Sequence, residues 1–437
     1  MADIRPFTGI RYDPGHIPDL SDVLCPPYDI ISPDEERSFL ERSMHNAISL
    51  ELRELKKGEA GDPNRYAAAA GRFQEWLAGG LLRRDTAPSM YLLEERFEHR
   101  GAKSVRRSLL AAVRLTPFSE GVVMPHEFTR PGPKADRLAL MTAARANFSP
   151  LMSLYRDDGG SVAAVLDAVQ RGRPTVTARL DGVADYRMWR VVEAEALFRI
   201  THAMAAKQVF IADGHHRYET ALKYKEDLEA KRGPLPPDAP ANFVMMALIA
   251  MDDPGLLVLP YHRLLGGLTE KERAALLSGF QKTYDVAGVK VPQGPAEAVA
   301  KALEARLAAF DGTSVVAAAY GLETGKAHLM QLRPAELPPN GSPSLEKAEM
   351  RILHQKGITP SLGAERESSS ISFVHDAAEA IGRVMEGEAQ VALLLRALPM
   401  DLFVEVVGRG ERLPPKSTYF YPKLPTGIVF RSLEGAL

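Results

Sequence analysis

The sequence predicts a mixed α/β fold, and three observations support this prediction. Short apolar runs typical of buried strands occur at residues 208–211 and 243–250. Segments with apolar residues at helical spacing, such as residues 65–82, lie between such runs. Near the end of the chain, the strand-like residues 391–395 lie between two further helical segments. Strands that alternate with helices are typical of α/β and α+β folds.

Local signals delimit the elements of the first half. Ser32-Pro33 predicts a helix start, because serine caps a helix and proline suits its first position. Residues 65–82 are predicted as a helix, and residues 91–97 and 104–115 as paired strands around the turn at Arg100-Gly101. The other elements that we predict here are helices at 138–147, 194–206 and 218–231, strand-like pieces at 180–193, a strand at 208–211 and a surface loop at 232–242.

The chain length predicts more than one domain, because 437 residues exceed what one ordinary core supports. We place the boundary after the loop at 232–242, which gives an N-terminal domain of residues 1–242 and a C-terminal α/β domain of residues 243–437. The elements predicted in the second domain are a strand at 243–250, helices at 270–281, 296–310, 376–385 and 401–408, and strands at 371–374 and 391–395.

Composition narrows the class of protein. The net charge is −2 and the pI is about 6.6, which argues against nucleic acid as the main partner. Cys25 is the only cysteine, so neither an internal disulfide nor a site of several thiolates is available. The first residues lack the apolar core of a signal peptide, and no apolar run is long enough to span a bilayer. We therefore predict a cytoplasmic protein without a membrane partner.

The segment Asp213-Gly214-His215-His216-Arg217 carries the most specific signal. A strand is predicted to run into a tight turn there, with a helix directly after it. The first turn of a helix offers unpaired backbone N–H groups and a positive dipole end, and both favour an anion. Three side chains that can be cationic oppose that dipole unless an oxyanion lies among them. The segment predicts a phosphate site; the alternative is an aspartate-capped helix with an exposed histidine pair.

A metal site is the rival interpretation of the same segment. Adjacent helical residues point about 100° apart, so His215 and His216 are poorly placed to bind one ion. His126-Glu127 is not followed by a second histidine at the spacing of a zinc protease motif. A magnesium ion that accompanies a nucleotide fits better, with Asp213 or Glu127 as its ligand.

Two other polar segments are candidates for the same site. His126-Glu127-x-Thr129 and Lys134-x-Asp136-Arg137 place acid–base and phosphate-binding groups in a proline-bounded stretch, although a solvated charged loop explains them as well. Lys416-Ser417-Thr418 precedes three aromatic residues and ends near Lys423; it suits a phosphate or a stacked base, or simply an edge strand. The P-loop, G-x-G-x-x-G and G-x-S-x-G signatures are absent.

Six distinctive segments follow one another along the chain: Pro26-Pro27-Tyr28-Asp29-Ile30-Ile31, the two segments at 126–129 and 134–138, residues 212–221, Asp253-Pro254-Gly255-Leu256 and Pro415-Lys416-Ser417-Thr418. In this order they resemble domain-of-unknown-function family 1015 over nearly the whole chain. The turn at Asp213–Arg217 further resembles the partition-protein-B/sulfiredoxin superfamily. That resemblance implies a sulfiredoxin-like core with a large insertion, nucleotide phosphates at this turn, and kinship with kinases of free L-serine. His215 replaces the cysteine of sulfiredoxins, so sulfiredoxin chemistry is set aside.

Residues and resemblance together predict an ATP- or ADP-dependent phosphotransferase, with magnesium, that acts on a small hydroxylated metabolite, free L-serine first. A nucleotide-binding regulatory switch and a metal-dependent hydrolase are the alternatives, and a homodimer is the predicted assembly. The catalytic candidates are Glu127, Asp29, His126 and His216. The nucleotide-binding candidates are Asp213, Gly214, His215, His216, Arg217, Lys134, Arg137, Lys416, Ser417 and Thr418, and the metal candidate is Asp213.

Arg217 carries the sharpest expectation. If its guanidinium is exposed and binds phosphate, Arg217→Ala should weaken nucleotide binding by about 1.5–3 kcal/mol and change stability little.

Overall fold

The computed structural model describes residues 2–55, 59, 62–312, 314–339, 341–435 and 437. The fold is mixed α/β, as predicted, and the chain divides into two compact units. The first unit comprises Met1–Leu256 together with Pro422–Leu437, and the second comprises Leu257–Tyr421. In the described part of the chain, no helix combines the length and apolarity needed to cross a membrane.

The first unit is built on one large sheet with helices packed against it. Its strands are β1 (Ile4–Arg5), β2 (Gly9–Tyr12), β3 (Leu82–Arg84), β4 (Met90–His99), β5 (Ala102–Arg114), β6 (Val123–Pro125), β7 (Ala146–Asn147), β8 (Leu151–Tyr155), β9 (Val176–Leu180), β10 (Ala184–Val191), β11 (Val209–Asp213) and β12 (Phe243–Ala250). Its helices are α1 (Pro33–Arg42), α2 (Ile48–Glu51), α3 (Arg65–Ala78), α4 (Pro131–Ala144), α5 (Ser161–Gln170), α6 (Ala194–Met204) and α7 (His215–Arg232).

Local chemistry explains why several of these elements begin and end where they do. Ser32 accepts a hydrogen bond from the backbone of Glu35, whose carboxylate caps the backbone of Ser32 in return, so α1 starts as predicted. Arg100 and Gly101 have φ values of 53° and 81°, and a turn with positive φ at both positions joins antiparallel strands tightly. The predicted pairing of β4 with β5 is confirmed.

The large sheet has the order β6-β11-β8-β12-β5-β4-β10-β9, and β1 pairs with β5. β11 runs parallel to β6 and antiparallel to β8. Pairing of β12 with both β8 and β5 places it in the middle of this sheet. The boundary predicted at residue 242 therefore differs from the observed division, because β12 was assigned to the C-terminal domain and completes the core of the first unit instead.

The second unit contains strands β13 (Leu257–Leu259), β14 (His262–Leu265), β15 (Tyr284–Val289), β16 (Val316–Tyr320), β17 (Ala327–Leu332), β18 (Ile371–Val374), β19 (Val391–Leu394) and β20 (Tyr419–Tyr421). Its helices are α8 (Glu270–Thr283), α9 (Ala296–Ala308), α10 (Glu349–Leu353), α11 (Thr359–Leu362), α12 (Ala364–Ser370), α13 (Ala377–Met385) and α14 (Met400–Gly408). One sheet has the order β15-β17-β16-β19-β14-β18, and β13 pairs with β20.

The last strand, β21 (Phe430–Ser432), returns to the first unit and lies between β2 and β7 in a small sheet of order β3-β2-β21-β7. Arg431 on this strand is 1% exposed and donates to Asn147 Oδ1 and to the carbonyls of Phe243 and Pro240. Burial lowers the pKa of Arg431 to about 9. The C-terminal strand is thus hydrogen-bonded to the first residue of β12 and to the segment just before it.

Candidate functional site

The predicted strand–turn–helix is present: β11 ends at Asp213 and α7 begins at His215. Gly214 between them has a φ of 96°, a left-handed conformation that glycine adopts at little cost. No side chain caps the first turn of α7, and that turn contains no acidic residue. Unpaired backbone N–H groups and the positive end of the dipole at the start of an 18-residue helix are features that favour an anion.

Arg217 points into the protein, and the prediction that it is exposed is wrong. The residue is 8% exposed. Its Nη1 donates to Ser149 Oγ (2.8 Å) and to the carbonyl of Pro150 (2.9 Å), and its Nη2 donates to Asp213 Oδ2 (3.1 Å). A Cβ on Gly214 would lie 3.0 Å from the guanidinium, so the glycine also makes room for this side chain. The guanidinium joins the turn to the residues just before β8 rather than facing a ligand.

Asp213 is held between two cations. Its Oδ1 accepts from Lys423 Nζ at 2.6 Å, in addition to the bond from Arg217. Burial alone would raise the pKa of Asp213, but Lys423 and Arg217 lower it to about 2. A carboxylate neutralised in this way does not fit a magnesium ligand, and among the described residues no three His, Cys, Asp or Glu side chains are grouped to hold an ion. We assign no step to a metal.

His126 and His215 pack edge to face, with ring centroids 4.5 Å apart, beside the start of α7. His126 Nδ1 lies 2.8 Å from the carbonyl of Ile211 and must donate to it, so the neutral ring carries its proton on Nδ1. Burial, and then the neighbouring His215, lower the pKa of His126 to about 3. His126 is therefore a neutral structural residue, and the side chain that was predicted to be catalytic is turned towards β11.

Glu127 is placed beside the helix start by His215. The Nε2 atom of His215 accepts from the backbone N–H of His126 at 3.2 Å, so the neutral ring carries its proton on Nδ1. That Nδ1 lies 3.4 Å from Glu127 Oε1. His215 is 2% exposed, whereas 29% of the Glu127 side chain is exposed. The buried histidine thus positions a carboxylate that remains open to solvent.

His216 is half-buried and presents a donor. Its Nε2 accepts from the backbone N–H of Arg130 at 2.9 Å, which leaves the proton of the neutral ring on Nδ1. Burial lowers the pKa of His216, which favours this neutral form. Asp29, the other acidic candidate, is exposed and acts electrostatically on His216. The structure thus brings Glu127, His216 and Asp29 to the start of α7.

Lys134 and Arg137 make protein contacts that the sequence did not predict. Lys134 Nζ and Thr129 Oγ1 each donate to Glu219 Oε2 at 2.7 Å; burial would raise the pKa of Glu219, and these two donors lower it. Arg137 is 4% exposed, and its Nη1 donates to the carbonyl of Glu51 at 2.7 Å. These contacts do not support the phosphate-binding role predicted for Arg137, while Lys134 remains partly open.

Tyr28 from the Pro-Pro-Tyr-Asp segment lies against both buried arginines. Its ring centroid is 4.0 Å from Cζ of Arg137 and 5.9 Å from Cζ of Arg217. The two arginines, Glu51 and Ser149 line a cavity of about 40 Å³, which is too small for a nucleotide or a free amino acid. Sequence reasoning missed the contacts of this network, because its members lie far apart in the chain. The residues concerned are Glu51, Ser149, Glu219 and Lys423.

Lys416, Ser417 and Thr418 belong to the second unit. Ser417 is 2% exposed and its Oγ donates to the carbonyl of Pro414 at 2.6 Å. Lys416 Nζ lies 5.2 Å from the ring centroid of Tyr261. Their assignment to the nucleotide site stays a prediction.

The buried neutral His126 makes stability depend on pH. The folded pKa of about 3 lies below the ordinary 6.5, so the unfolded chain binds the extra proton between these values. The stabilising contribution is complete above about pH 6.5 and is lost as the pH falls towards 3. At pH 5 this group should lower the free energy of unfolding by about 2 kcal/mol relative to pH 7. His126→Asn, which keeps a donor for Ile211, should reduce the pH dependence by that amount in urea titrations; an equal dependence in both proteins would contradict it.

Fold and site define a mixed α/β protein with a strand–turn–helix whose first helical turn has no side-chain cap. The chain belongs to the family described as "Protein of unknown function (DUF1015)", which it matches over residues 4–353. No curated protein matches the sequence.

Among solved structures, the chain is similar to a conserved hypothetical protein from Pyrococcus furiosus (15% identity, TM-score 0.35, covering 75% of this chain and 95% of that one). It is also similar to a free serine kinase in complex with AMP (13% identity, TM-score 0.33, 74% and 92%). A third similar structure is SbnI with a C-terminal truncation from Staphylococcus aureus (11% identity, TM-score 0.31, 71% and 82%).

Proposed function

We propose that the protein is a nucleotide-dependent phosphotransferase that transfers a phosphoryl group from ATP or ADP to a small hydroxylated metabolite, with free L-serine as the first candidate. One observation carries the proposal: the uncapped first turn of α7 lies next to a solvent-accessible carboxylate, Glu127, and an imidazole donor, His216. Phosphoryl transfer needs these parts, namely donors for phosphate oxygens and a base near the acceptor hydroxyl.

The phosphate contacts follow from the geometry of the turn. Backbone N–H groups at the start of α7 receive a phosphate oxygen, and the Nδ1 proton of His216 gives a second donor from the same turn. Arg217 contributes through the shape of the turn, because its two Nη atoms donate to Asp213 and to the residues just before β8. This role replaces the direct phosphate contact expected from the sequence.

Glu127 takes the proton of the acceptor hydroxyl in this mechanism. The hydroxyl oxygen forms a bond to the terminal phosphorus while the bond from that phosphorus to its bridging oxygen breaks, so ATP leaves as ADP and ADP leaves as AMP. His215 holds the carboxylate in place through its Nδ1 proton. The likeness of Asp213–Arg217 to the partition-protein-B/sulfiredoxin superfamily, which includes kinases of free L-serine, supports the choice of nucleotide and acceptor.

The decisive assay combines purified protein with ATP or ADP and a panel of amino acids and polyols, and measures phosphorylated product by mass spectrometry. Transfer to one acceptor, L-serine first, supports the proposal. Nucleotide binding without any product contradicts the proposed phosphotransferase activity and favours a nucleotide-binding switch. Such a switch would change its oligomeric state or its protein partners when nucleotide binds.

Glu127→Gln should lower the transfer rate by about 10²–10⁴-fold, the contribution of a general base, while nucleotide affinity stays within a few fold. The amide keeps the size of the side chain and cannot accept the hydroxyl proton. Steady-state kinetics and calorimetry on the same preparation measure both quantities. Glu226→Gln, which changes a glutamate further along α7, is the control. A wild-type rate in Glu127→Gln would transfer the role of base to Asp29.

A further inference from the structure

Phe128 is the most conspicuous side chain near the start of α7 that the proposed mechanism does not use. It is 73% exposed, in the segment between β6 and α4. Scattered apolar residues on a surface are common, so exposure alone indicates little. What distinguishes Phe128 is the way in which the backbone around it is held.

The residues on both sides of Phe128 are bound to α7. The backbone N–H of His126 donates to His215, and that of Arg130 donates to His216. Thr129 Oγ1 donates to Glu219. The loop is therefore fixed along the first turns of the helix, and it presents an aromatic ring to solvent at a defined place.

A second large apolar side chain faces solvent near the same helix start. Ile30 is 45% exposed and follows Asp29, whose charge acts on His216. Two segments far apart in sequence thus each place one exposed apolar side chain near the candidate phosphate site. A nucleotide carries its phosphates and its flat, largely apolar base within a single small molecule, so a ring beside a phosphate site suits the base.

We propose that Phe128 is the stacking surface for the nucleotide base, with the phosphates on the first turn of α7. The inference rests on the proposed function and adds the recognition of the base to it. Stacking on a single ring is tolerant of base identity, so ATP and GTP should both use Phe128. The ring raises the affinity for nucleotides relative to inorganic phosphates. It does not contact the transferred phosphoryl group.

The test measures affinity by calorimetry for ATP, ADP and inorganic triphosphate, which lacks a base. Phe128→Ala should weaken ATP and ADP binding about tenfold and leave triphosphate binding within twofold. Phe128→Tyr should keep wild-type affinity for all three. Phe198→Ala is the matched control, because Phe198 on α6 is 66% exposed and stacks on His202. His216→Ala should weaken ATP and triphosphate alike.

Each result separates the two proposals. Equal ATP affinity in wild type and Phe128→Ala overturns the stacking role and leaves the phosphotransferase standing. Loss of triphosphate binding in Phe128→Ala also overturns the stacking role, because the ring would then stabilise the loop instead of contacting the base. If wild-type protein binds neither nucleotide nor triphosphate, the phosphotransferase fails, and the base site with it.

A fluorescent variant gives a second readout. Phe128→Trp adds an exposed indole to a chain whose tryptophans, Trp76 and Trp189, are buried. Its emission should be quenched by ATP and stay unchanged with triphosphate. Equal quenching by both ligands would contradict stacking by the base.

Discussion

Arg217→Ala should lower the free energy of unfolding by about 3–5 kcal/mol, the usual cost of removing one member of a buried ion pair. The substitution leaves Asp213 with Lys423 alone and removes a donor from both Ser149 Oγ and the carbonyl of Pro150. It also empties the space of a long side chain that is 8% exposed. Nucleotide affinity should fall as well, because the turn before α7 loses the side-chain hydrogen bonds that stabilise it.

Urea unfolding of three proteins measures this effect. Arg217→Lys should recover only part of the stability, because one ammonium cannot bond to Ser149, to the carbonyl of Pro150 and to Asp213 with the geometry of a planar fork. Arg199→Ala, at an exposed arginine on α6, should stay within about 0.5 kcal/mol of wild type. Unchanged stability together with lost nucleotide affinity in Arg217→Ala would restore the direct phosphate contact expected from the sequence.

Glu95→Ala should lower the free energy of unfolding by about 3–5 kcal/mol, because it removes the carboxylate partner of a guanidinium that is buried in the core. Glu95 and Arg106 lie directly opposite on β4 and β5, and both side chains are 0% exposed. Arg106 Nε and Nη2 donate to the two carboxylate oxygens at 2.8 and 3.0 Å, and Nη2 also donates to the carbonyl of Pro422. Burial raises the pKa of Glu95 while Arg106 opposes that change.

The same hairpin provides the control for this prediction. Glu98 and Lys103 lie opposite each other in the next part of β4 and β5 and are exposed, so Glu98→Ala should cost no more than about 1 kcal/mol. The double variant Glu95→Leu with Arg106→Leu should regain much of the loss, because no buried charge remains unpaired. A small effect of Glu95→Ala in thermal and urea unfolding would contradict the pair's structural role.

Signals within a few residues were sufficient to predict much of the fold. The helix start at Ser32, the turn at Arg100-Gly101 and the step from β11 to α7 each depend on neighbours in sequence, and each was predicted. The direction of Arg217 depends on Ser149 and Pro150 on a distant segment. No local sequence pattern indicates these hydrogen bonds, so a cation at a helix start was interpreted as a ligand for phosphate.

The candidate site shows the same limit. The turn, Glu127 and His216 were found because their residue types suit phosphate chemistry. Lys423 was noticed only as one amine in an aromatic segment, whereas it is the ion-pair partner of Asp213. The predicted domain boundary differs from the observed division for a related reason, because no local signal marks the pairing of β12 within the first unit or the return of residues 422–437 to it.

The return of residues 422–437 to the first unit has a consequence for biosynthesis. A ribosome completes residues 1–256 and then the whole of Leu257–Tyr421 before Lys423 and β21 emerge, an interval on the order of 10 s at ordinary elongation rates. Throughout that interval Asp213 lacks one of its two cations, and β2 and β7 lack the strand that joins them. The small sheet of the first unit therefore stays incomplete during that interval, whereas all strands of the large sheet are already synthesised. The candidate site is therefore among the last parts of the chain to reach its final form.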